Sequence, residues 1–287
     1  MKPAPFEYHL PETVDEALGL LADGTDVRVL AGGQSLVPLL KLRSVKPTAL
    51  VDVNRLPLLD GIEADNGALR IGALTRQQAL LESPEAVRAH PLLSKAVSYA
   101  GYLATRHRGT VGGSLAFAAP WAELTAAAVA LDARIEARSS RGTRTIPARE
   151  FFHGPNATAL EADELLTGVE VPAAAPGTGA GFYEVSPRFR DFAVAAAAAT
   201  VTLDDAGTCT AAELVVLRAA PTPFRADVSH LVGTNVGGDA LEAIADTLGE
   251  IDPPDDIEAS AGHRRRLVLT LARRAVRDAA ADAKGAS

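Results

Sequence analysis

Cysteine is nearly absent from this sequence: its 287 residues include a single one, Cys209. A disulfide needs a second cysteine, and thiolate zinc sites and common iron–sulfur clusters need several. This chain alone therefore builds none of them. Cys209 follows a short β-like run at 201–203, in a region typical of a hairpin. We expect it to be a buried small residue and not a nucleophile.

Basic charge and long apolar runs are also scarce. Acidic residues outnumber basic ones by 36 to 28, and the net charge of −8 argues against nucleic acid or an anionic membrane as the main partner. No apolar run approaches the roughly 20 residues of a membrane-spanning helix. Residues 1–6 lack the apolar core of a signal peptide. We expect a cytoplasmic protein with no membrane span and no nucleic-acid partner.

No residue pattern indicates acid–base, nucleophilic or metal-centred chemistry. The six histidines do not occur at a metal-binding spacing such as H-E-x-x-H. We therefore assign no catalytic residue and no metal ligand to this chain.

A diglycine turn between a strand and a helix is the most informative feature present. The β-branched run 27–30 leads into Gly32 and Gly33, and Ser35 precedes a helical leucine pattern. Such a turn leaves backbone N–H groups without partners at a helix start, which suits a phosphate. The alternative is a turn that binds nothing.

A second diglycine motif strengthens the anion-binding interpretation. Residues 110–114 again place two glycines before a hydroxyl residue, and neither motif is a Rossmann or P-loop pattern. Two such loops could hold a pyrophosphate from both sides, so the sequence predicts a dinucleotide site in another fold. Nearby Arg106 and Arg108 could neutralise a phosphate, but we expect a surface or supporting position for them. His107 is expected to be structural or solvent-facing.

The order of predicted elements indicates an α+β protein. Strand and helix patterns alternate over about 1–60 and mix over 61–175, which predicts a two-lobed domain spanning residues 1–175. The Pro/Ala/Gly-rich segment 172–179 is the expected linker.

A second domain is predicted over residues 180–287. Three strands of an antiparallel meander are expected there, and the alanine run 195–199 is interpreted as strand because β-branched and aromatic residues flank it. Helices follow, and the last carries six arginines that we expect to be solvated or to face another subunit.

The motifs together resemble a known family. Residues 31–36 (Ala-Gly-Gly-Gln-Ser-Leu) and 106–114 (Arg-His-Arg-Gly-Thr-Val-Gly-Gly-Ser) are similar to the two FAD loops of the FAD-binding medium subunits of molybdenum hydroxylases, the xanthine dehydrogenase and carbon monoxide dehydrogenase family. Further similar segments are 71–75, 91–93, 163–167, 190–193 and 221–226. The resemblance implies an FAD-binding domain of the p-cresol methylhydroxylase type, followed by a C-terminal domain with a three-stranded antiparallel sheet and helices.

The same resemblance implies a cofactor and partner subunits. FAD would bind non-covalently, while a large subunit would hold a molybdenum-pterin cofactor and a small subunit would hold 2Fe–2S clusters, in a dimer of heterotrimers. Substrate would be hydroxylated on the partner chain. This chain would pass electrons from the clusters through FAD to an external acceptor.

The resemblance also implies which residues contact FAD. They are Leu30, Ala31, Gly32, Gly33, Gln34, Ser35, Leu36, Thr110, Val111, Gly112, Gly113, Ser114, Glu123 and Leu166. Glu123 stands where the family has an Asp that holds the ribose or ribityl chain.

Three departures from the family pattern bear on the site. His107 replaces an Asn, and residues 117–119 replace a polar His-x-Asp segment. Glu184 lies near a position where the family often has a Lys close to the flavin, so we expect it to reverse the local charge.

Two other functions stay open at this point. One is a self-sufficient FAD-dependent oxidase. Such enzymes often tether FAD through His or Cys near the first glycine loop, and residues 10–89 contain neither. The other is an assembly scaffold that has lost its flavin, against which the intact glycines in both motifs count.

Overall fold

A small parallel sheet forms the N-terminal part of the chain. The computed structural model describes residues 1–65, 67–249 and 251–285. Its first elements are β1 (Glu7–His9), α1 (Val14–Asp23), β2 (Val27–Leu30), α2 (Leu36–Leu42), β3 (Ala49–Asp52) and a 3₁₀ turn (Pro57–Leu59). The strand order is β1-β3-β2 and both pairings are parallel. The predicted alternation of strand and helix is confirmed.

A five-stranded antiparallel sheet follows, with helices inserted between its strands. Its strands are β4 (Ile62–Asp65), β5 (Ala68–Gly72), β6 (Arg134–Ser139), β7 (Gly142–Pro147) and β10 (Leu165–Pro172), in the order β4-β5-β10-β6-β7. The intervening elements are α3 (Gln77–Glu82), α4 (Pro84–Ala89), α5 (Pro91–Tyr99), α6 (Leu103–Arg108), α7 (Val111–Phe117), α8 (Glu123–Ala130), α9 (Ala148–Phe151), β8 (Phe152–Gly154) and β9 (Ala157–Thr158).

The C-terminal sheet has four strands, not the three that were expected. They are β11 (Thr178–Val185), β12 (Ala195–Leu203), β13 (Cys209–Leu217) and β14 (Phe224–Ala226), paired antiparallel in that order. The extra strand, β14, is only three residues long and follows Pro221 and Pro223. It pairs with residues 214–216 of β13 at the edge of the sheet. Prolines are tolerated just before an edge strand, so Pro221 and Pro223 do not prevent this pairing.

Helices cover both faces of this C-terminal sheet. After β14 the chain forms a 3₁₀ turn (Ser229–Leu231), α10 (Gly238–Glu242), α11 (Ile244–Thr247) and α12 (Ala261–Gly285). α12 packs on one face, and α5 and α8 pack on the other. The predicted α+β class is confirmed.

The alanine run in β12 lies between these two layers. Ala195, Ala197 and Ala199 belong to the core beneath α12, whereas Ala196 and Ala198 belong to the core beneath α5 and α8. All five are fully buried. The interpretation of this run as strand is confirmed, and its small side chains leave room for a helix on each face.

Glycines in β11 bring α12 even closer to the sheet. A Cβ on Gly181 would overlap the backbone of Ala275, and one on Gly179 would overlap that of Ala279.

The expected burial of Cys209 is confirmed, because its side chain lies in the core beneath α12.

One arginine of α12 is buried, contrary to the expectation that all six are solvated or face a subunit. The Arg264 side chain is fully buried, and its guanidinium donates to the carbonyls of Val194 (2.9 Å), Pro254 and Ala259 and to the Asp256 carboxylate (2.9 Å). It therefore ties the start of α12 to β12 and to the loop before the helix.

Within the described ranges, no helix is long and apolar enough to cross a membrane.

Replacing Arg264 by Met should lower the free energy of unfolding by about 1.5–3 kcal/mol, because several backbone carbonyls and the Asp256 carboxylate lose a charged hydrogen-bond donor. Arg266 is exposed on the same helix, so Arg266→Met is the matched control and should change it by less than about 0.5 kcal/mol. Denaturant unfolding of both variants measures the difference. Equal effects would show that Arg264 does not anchor the helix.

Candidate functional site

The two diglycine motifs meet in the fold. A Cβ added to Gly32 would overlap the carbonyl oxygen of Arg108 and would lie 2.8 Å from the Cα of Gly109. A Cβ added to Gly113 would lie 3.8 Å from the Cβ of Ala31. The first motif therefore packs directly on the chain that leads into the second, and Gly32 is required for this approach.

The first motif is a loop with free hydrogen-bond donors. Gly33 has φ +73°, a left-handed conformation that favours glycine. Ser35 occupies the position before α2, but its hydroxyl makes no capping bond. Among the described residues, nothing accepts a hydrogen bond from the backbone N–H groups of residues 32–36. This is the donor set that the sequence predicted for an anion.

The second motif is not a second copy of the first. Residues 111–114 form the first turn of α7, and Thr110 caps it by accepting from the Gly113 N–H at 3.1 Å. The Val111 N–H donates to the Thr75 carbonyl, and the Gly112 N–H donates to the Ala73 carbonyl, both at 2.9 Å. These backbone donors are already paired, so the sequence-based picture of two equivalent loops is corrected.

Gly112 is needed for this packing. A Cβ there would lie 2.6 Å from the Cβ of Ala73 and 2.9 Å from its Cα. The second motif is thus held against the segment after β5. What it can still offer a ligand is its Thr110 and Ser114 hydroxyls.

A hydrogen-bond network that the sequence did not predict joins the two motifs. The Asn54 amide donates to the Ala31 carbonyl at 2.8 Å, and its oxygen accepts from the Arg76 guanidinium at 2.8 Å. Arg76 also donates to the Arg108 carbonyl at 3.2 Å. Asn54 and Arg76 lie after strands, outside any motif, so no local signal identified them.

Two arginines give this junction positive charge. Burial and the nearby Arg108 guanidinium lower the pKa of Arg76, and the carboxylates of Asp60 and Asp52 act against this shift. Asp52 accepts from the Tyr8 hydroxyl at 2.6 Å and from the Asn54 amide at 2.7 Å. The junction therefore combines free N–H donors with cationic side chains.

Three residues just before the second motif, at 106–108, were considered as possible phosphate contacts. Arg106 is buried and donates to the Gln78 side chain and to the carbonyls of Ala100 and Gly101, so it is a structural residue and does not face a phosphate. His107 and Arg108 are exposed. α5 ends at Tyr99, and Gly101 turns the chain with φ +52° before α6 begins.

Glu123 and Leu166, the last two residues predicted to contact FAD, lie deeper in the protein than the two motifs. Glu123 is the first residue of α8, which packs against α7, and its side chain is nearly buried. Leu166 is buried in β10, in the same core as Val111 and Leu115. Leu166 therefore supports α7 from beneath.

Glu123 lies near Glu184, which the sequence had marked only as a departure. Burial and the negative charge of Glu123 raise the pKa of Glu184 to about 9, and neither Glu184 carboxyl oxygen has a hydrogen-bond partner among the described residues. Burial also raises the pKa of Glu123 to about 7. Glu184 is therefore protonated at neutral pH, and the expected reversal of local charge does not follow.

Comparison with known proteins identifies this architecture. Residues 4–174 match the model of the FAD binding domain in molybdopterin dehydrogenase, and residues 181–279 match that of the CO dehydrogenase flavoprotein C-terminal domain. The chain belongs to the FAD-binding medium subunits of molybdenum hydroxylases. As a member of this family it is a flavoprotein and an oxidoreductase subunit.

Similarity to individual members extends over nearly the whole chain. The chain is 38% identical to the 6-hydroxypseudooxynicotine dehydrogenase complex subunit alpha of Paenarthrobacter nicotinovorans, covering 96% of this chain and 94% of the relative. It is 35% identical to the carbon monoxide dehydrogenase medium chain of Hydrogenophaga pseudoflava, covering 96% and 97%. A solved structure of carbon monoxide dehydrogenase from that organism superposes with a TM-score of 0.95 at 34% identity, covering 98% of this chain and 99% of the other.

The contact between the motifs can be tested by adding a single methyl group. Gly32→Ala should lower the free energy of unfolding by about 1–3 kcal/mol, because its Cβ overlaps the Arg108 carbonyl. Gly19→Ala is the control: Gly19 is exposed in α1 with nothing within 4 Å, so alanine should raise the free energy of unfolding by about 0.5–1 kcal/mol. If both variants are stabilised, the two motifs do not pack as described.

Proposed function

We propose that this chain binds FAD non-covalently at the junction of the two motifs, with residues 30–36, 110–114, Glu123 and Leu166 forming the site. The free N–H groups of residues 32–36 carry the proposal, since five adjacent donors without acceptors fit a pyrophosphate. Arg76 and Arg108 supply the charge that a pyrophosphate needs. The Thr110 and Ser114 hydroxyls offer further donors beside it.

Non-covalent binding is supported by the position of the possible tethering groups. The only cysteine of the sequence, Cys209, is buried beneath α12. Residues 10–89 contain no His or Cys near the first motif. FAD, when bound, supplies the redox chemistry, and this chain binds and orients it.

We further propose that the chain works within a larger complex. A large subunit would hold the molybdenum-pterin cofactor, a small subunit would hold iron–sulfur clusters, and this chain would pass their electrons to an external acceptor. A dimer of heterotrimers, with this chain divided into residues 1–175 and 180–287, is the arrangement we expect. One cysteine cannot ligate a cluster, which supports this division of tasks.

The FAD site is tested by titrating the apoprotein with FAD. About one FAD per chain should bind, and acid precipitation should release all of it into solution. Arg76→Met should weaken binding roughly ten- to a hundredfold, because a charged hydrogen-bond donor is typically worth about 1.5–3 kcal/mol. Arg70 is an exposed arginine paired with Glu170, and Arg70→Met is the control that should bind FAD normally.

The outcomes of this titration separate the alternatives. Flavin that stays with the precipitated protein would indicate a covalent tether. No binding at all would favour the flavin-free scaffold. Equal affinity in the two arginine variants would place the pyrophosphate elsewhere.

The role in electron transfer is tested with the FAD-bound chain alone. Dithionite should bleach it and air should restore its colour, whereas organic substrates should leave it oxidised. Relatives of this chain are named for carbon monoxide, caffeine, glyceraldehyde and nicotine, which form a suitable panel.

Adding the molybdenum and iron–sulfur subunits should allow the physiological substrate to bleach the flavin. Reduction of the isolated chain by any substrate on the panel would instead support a self-sufficient oxidase.

A further inference from the structure

The helix α2 is apolar around its circumference, yet it lies at the surface. Lys41 is its one polar residue, and Leu40 is its one buried residue. Leu42 is 65% exposed, and Val37 and Pro38 are exposed as well. No other described helix or strand packs closely on α2. A helix without a polar face normally lies in a core, so α2 lacks the cover that its sequence calls for.

Both ends of α2 are fixed, so its apolar surface is a stable one. At the start, the Val37 N–H donates to the Gly33 carbonyl at 3.0 Å. At the end, Arg43 has φ +57°, a left-handed conformation that favours glycine, and its N–H donates to the Leu40 carbonyl at 3.0 Å. The Arg43 guanidinium also donates to the Lys2 carbonyl at 3.1 Å. The end of the helix is therefore tied to the segment before β1.

Four exposed cations lie on α2 or beside it: Lys2, Lys41, Arg43 and Lys46. None of the ion pairs in the described part of the chain includes them. Residues 27–51 contain no Asp or Glu, although the chain as a whole has a net charge of −8. The apolar surface therefore has a cationic rim whose charge is not balanced by its own segment.

An apolar centre with a cationic rim indicates the chemistry of the partner. Protein interfaces commonly place apolar side chains at the centre and charged ones at the rim. A second copy of this chain fits poorly, because in a two-fold contact the two cationic rims would face each other and repel. A protein surface with apolar residues bordered by carboxylates is complementary.

An anionic membrane also attracts basic and apolar residues, but it fits this chain less well. The net charge of −8 is repelled by such a surface. Seven helical residues also bury little apolar area in a lipid headgroup layer, and binding strength scales with that area. The observations therefore favour a protein partner.

The position of α2 indicates which protein that is. The helix begins directly after the free N–H groups of residues 32–36, at which we place the FAD pyrophosphate. A subunit docked on α2 therefore lies beside the flavin site. Because electron transfer requires donor and acceptor to lie close together, the subunit that reduces the flavin has to dock beside that site.

We propose that the α2 surface, formed by Val37, Pro38 and Leu42 with the cationic rim around them, is the docking surface for the iron–sulfur subunit. The contact face of that subunit carries apolar residues bordered by Asp and Glu. This inference rests on the proposed function, because it takes FAD to lie at residues 32–36 and an iron–sulfur subunit to be its electron donor.

The apolar centre is tested by the affinity of the FAD-loaded full chain for the purified iron–sulfur subunit of the same organism. Leu42→Gln removes an apolar anchor without changing the charge, so it should weaken binding at least about tenfold. Leu58→Gln is the matched control, since Leu58 is 88% exposed on the 3₁₀ turn outside α2, and it should bind as the wild type does. Both variants should keep the FAD affinity and the unfolding free energy of the wild type, because both side chains are exposed.

The cationic rim is tested in the same assay by reversing one charge. The wild-type affinity should fall as salt is raised. Lys41→Glu should bind at least about tenfold more weakly at low salt, mainly through slower association, and should depend less on salt. Lys284→Glu, at the exposed end of α12, is the control and should match the wild type.

Several results would overturn the inference. One is equal affinity for the iron–sulfur subunit in Leu42→Gln and Leu58→Gln, or in Lys41→Glu and Lys284→Glu. Another is a wild type that binds FAD but not this subunit. A third is that Leu42→Gln instead abolishes self-association in sedimentation, binding to the molybdenum subunit or binding to phosphatidylglycerol vesicles.

Failure of the proposed function is distinguishable from these results. A wild type that does not bind FAD would overturn the proposed function. The affinity of the apoprotein for the iron–sulfur subunit, compared between Leu42→Gln and Leu58→Gln, would then still test the α2 surface.

Discussion

The close contact between Gly32 and the Arg108–Gly109 backbone is the constraint on which the site depends. Only a residue without a Cβ allows the first motif to lie against the chain that enters α7. The network from Asn54 to Arg76 then spans the same junction and fixes the carbonyls on both sides. The contact and the network therefore hold the loop after β2 against the segment between α6 and α7.

Similar sequence motifs perform different tasks at this junction. The first has unpaired N–H donors, whereas the second uses its N–H groups to bind the protein. A diglycine pattern alone therefore does not show whether its donors are free. The distinction depends on whether another segment, here the carbonyls of Ala73 and Thr75, approaches the helix start.

Local patterns predicted much of the fold and the positions of both motifs. The alanine strand was recognisable because its flanking residues are β-branched, and the glycines because a tight turn requires them. The short strand β14 was missed because it is only three residues long and follows two prolines. The burial of Arg264 was missed because it depends on Val194, which is distant in sequence. The proximity of Glu123 to Glu184 likewise exists only after α8 has docked on the C-terminal sheet.

Amide hydrogen exchange with and without FAD is the most direct test of the central claim that the first motif supplies the free donors and the second supports it. The amides of residues 32–36 should exchange fast in the apoprotein and become protected by FAD. Those of residues 111–114 should be protected in both forms, since protein acceptors already bind them. Protection that FAD confers on residues 111–114 while leaving residues 32–36 unchanged would contradict the account.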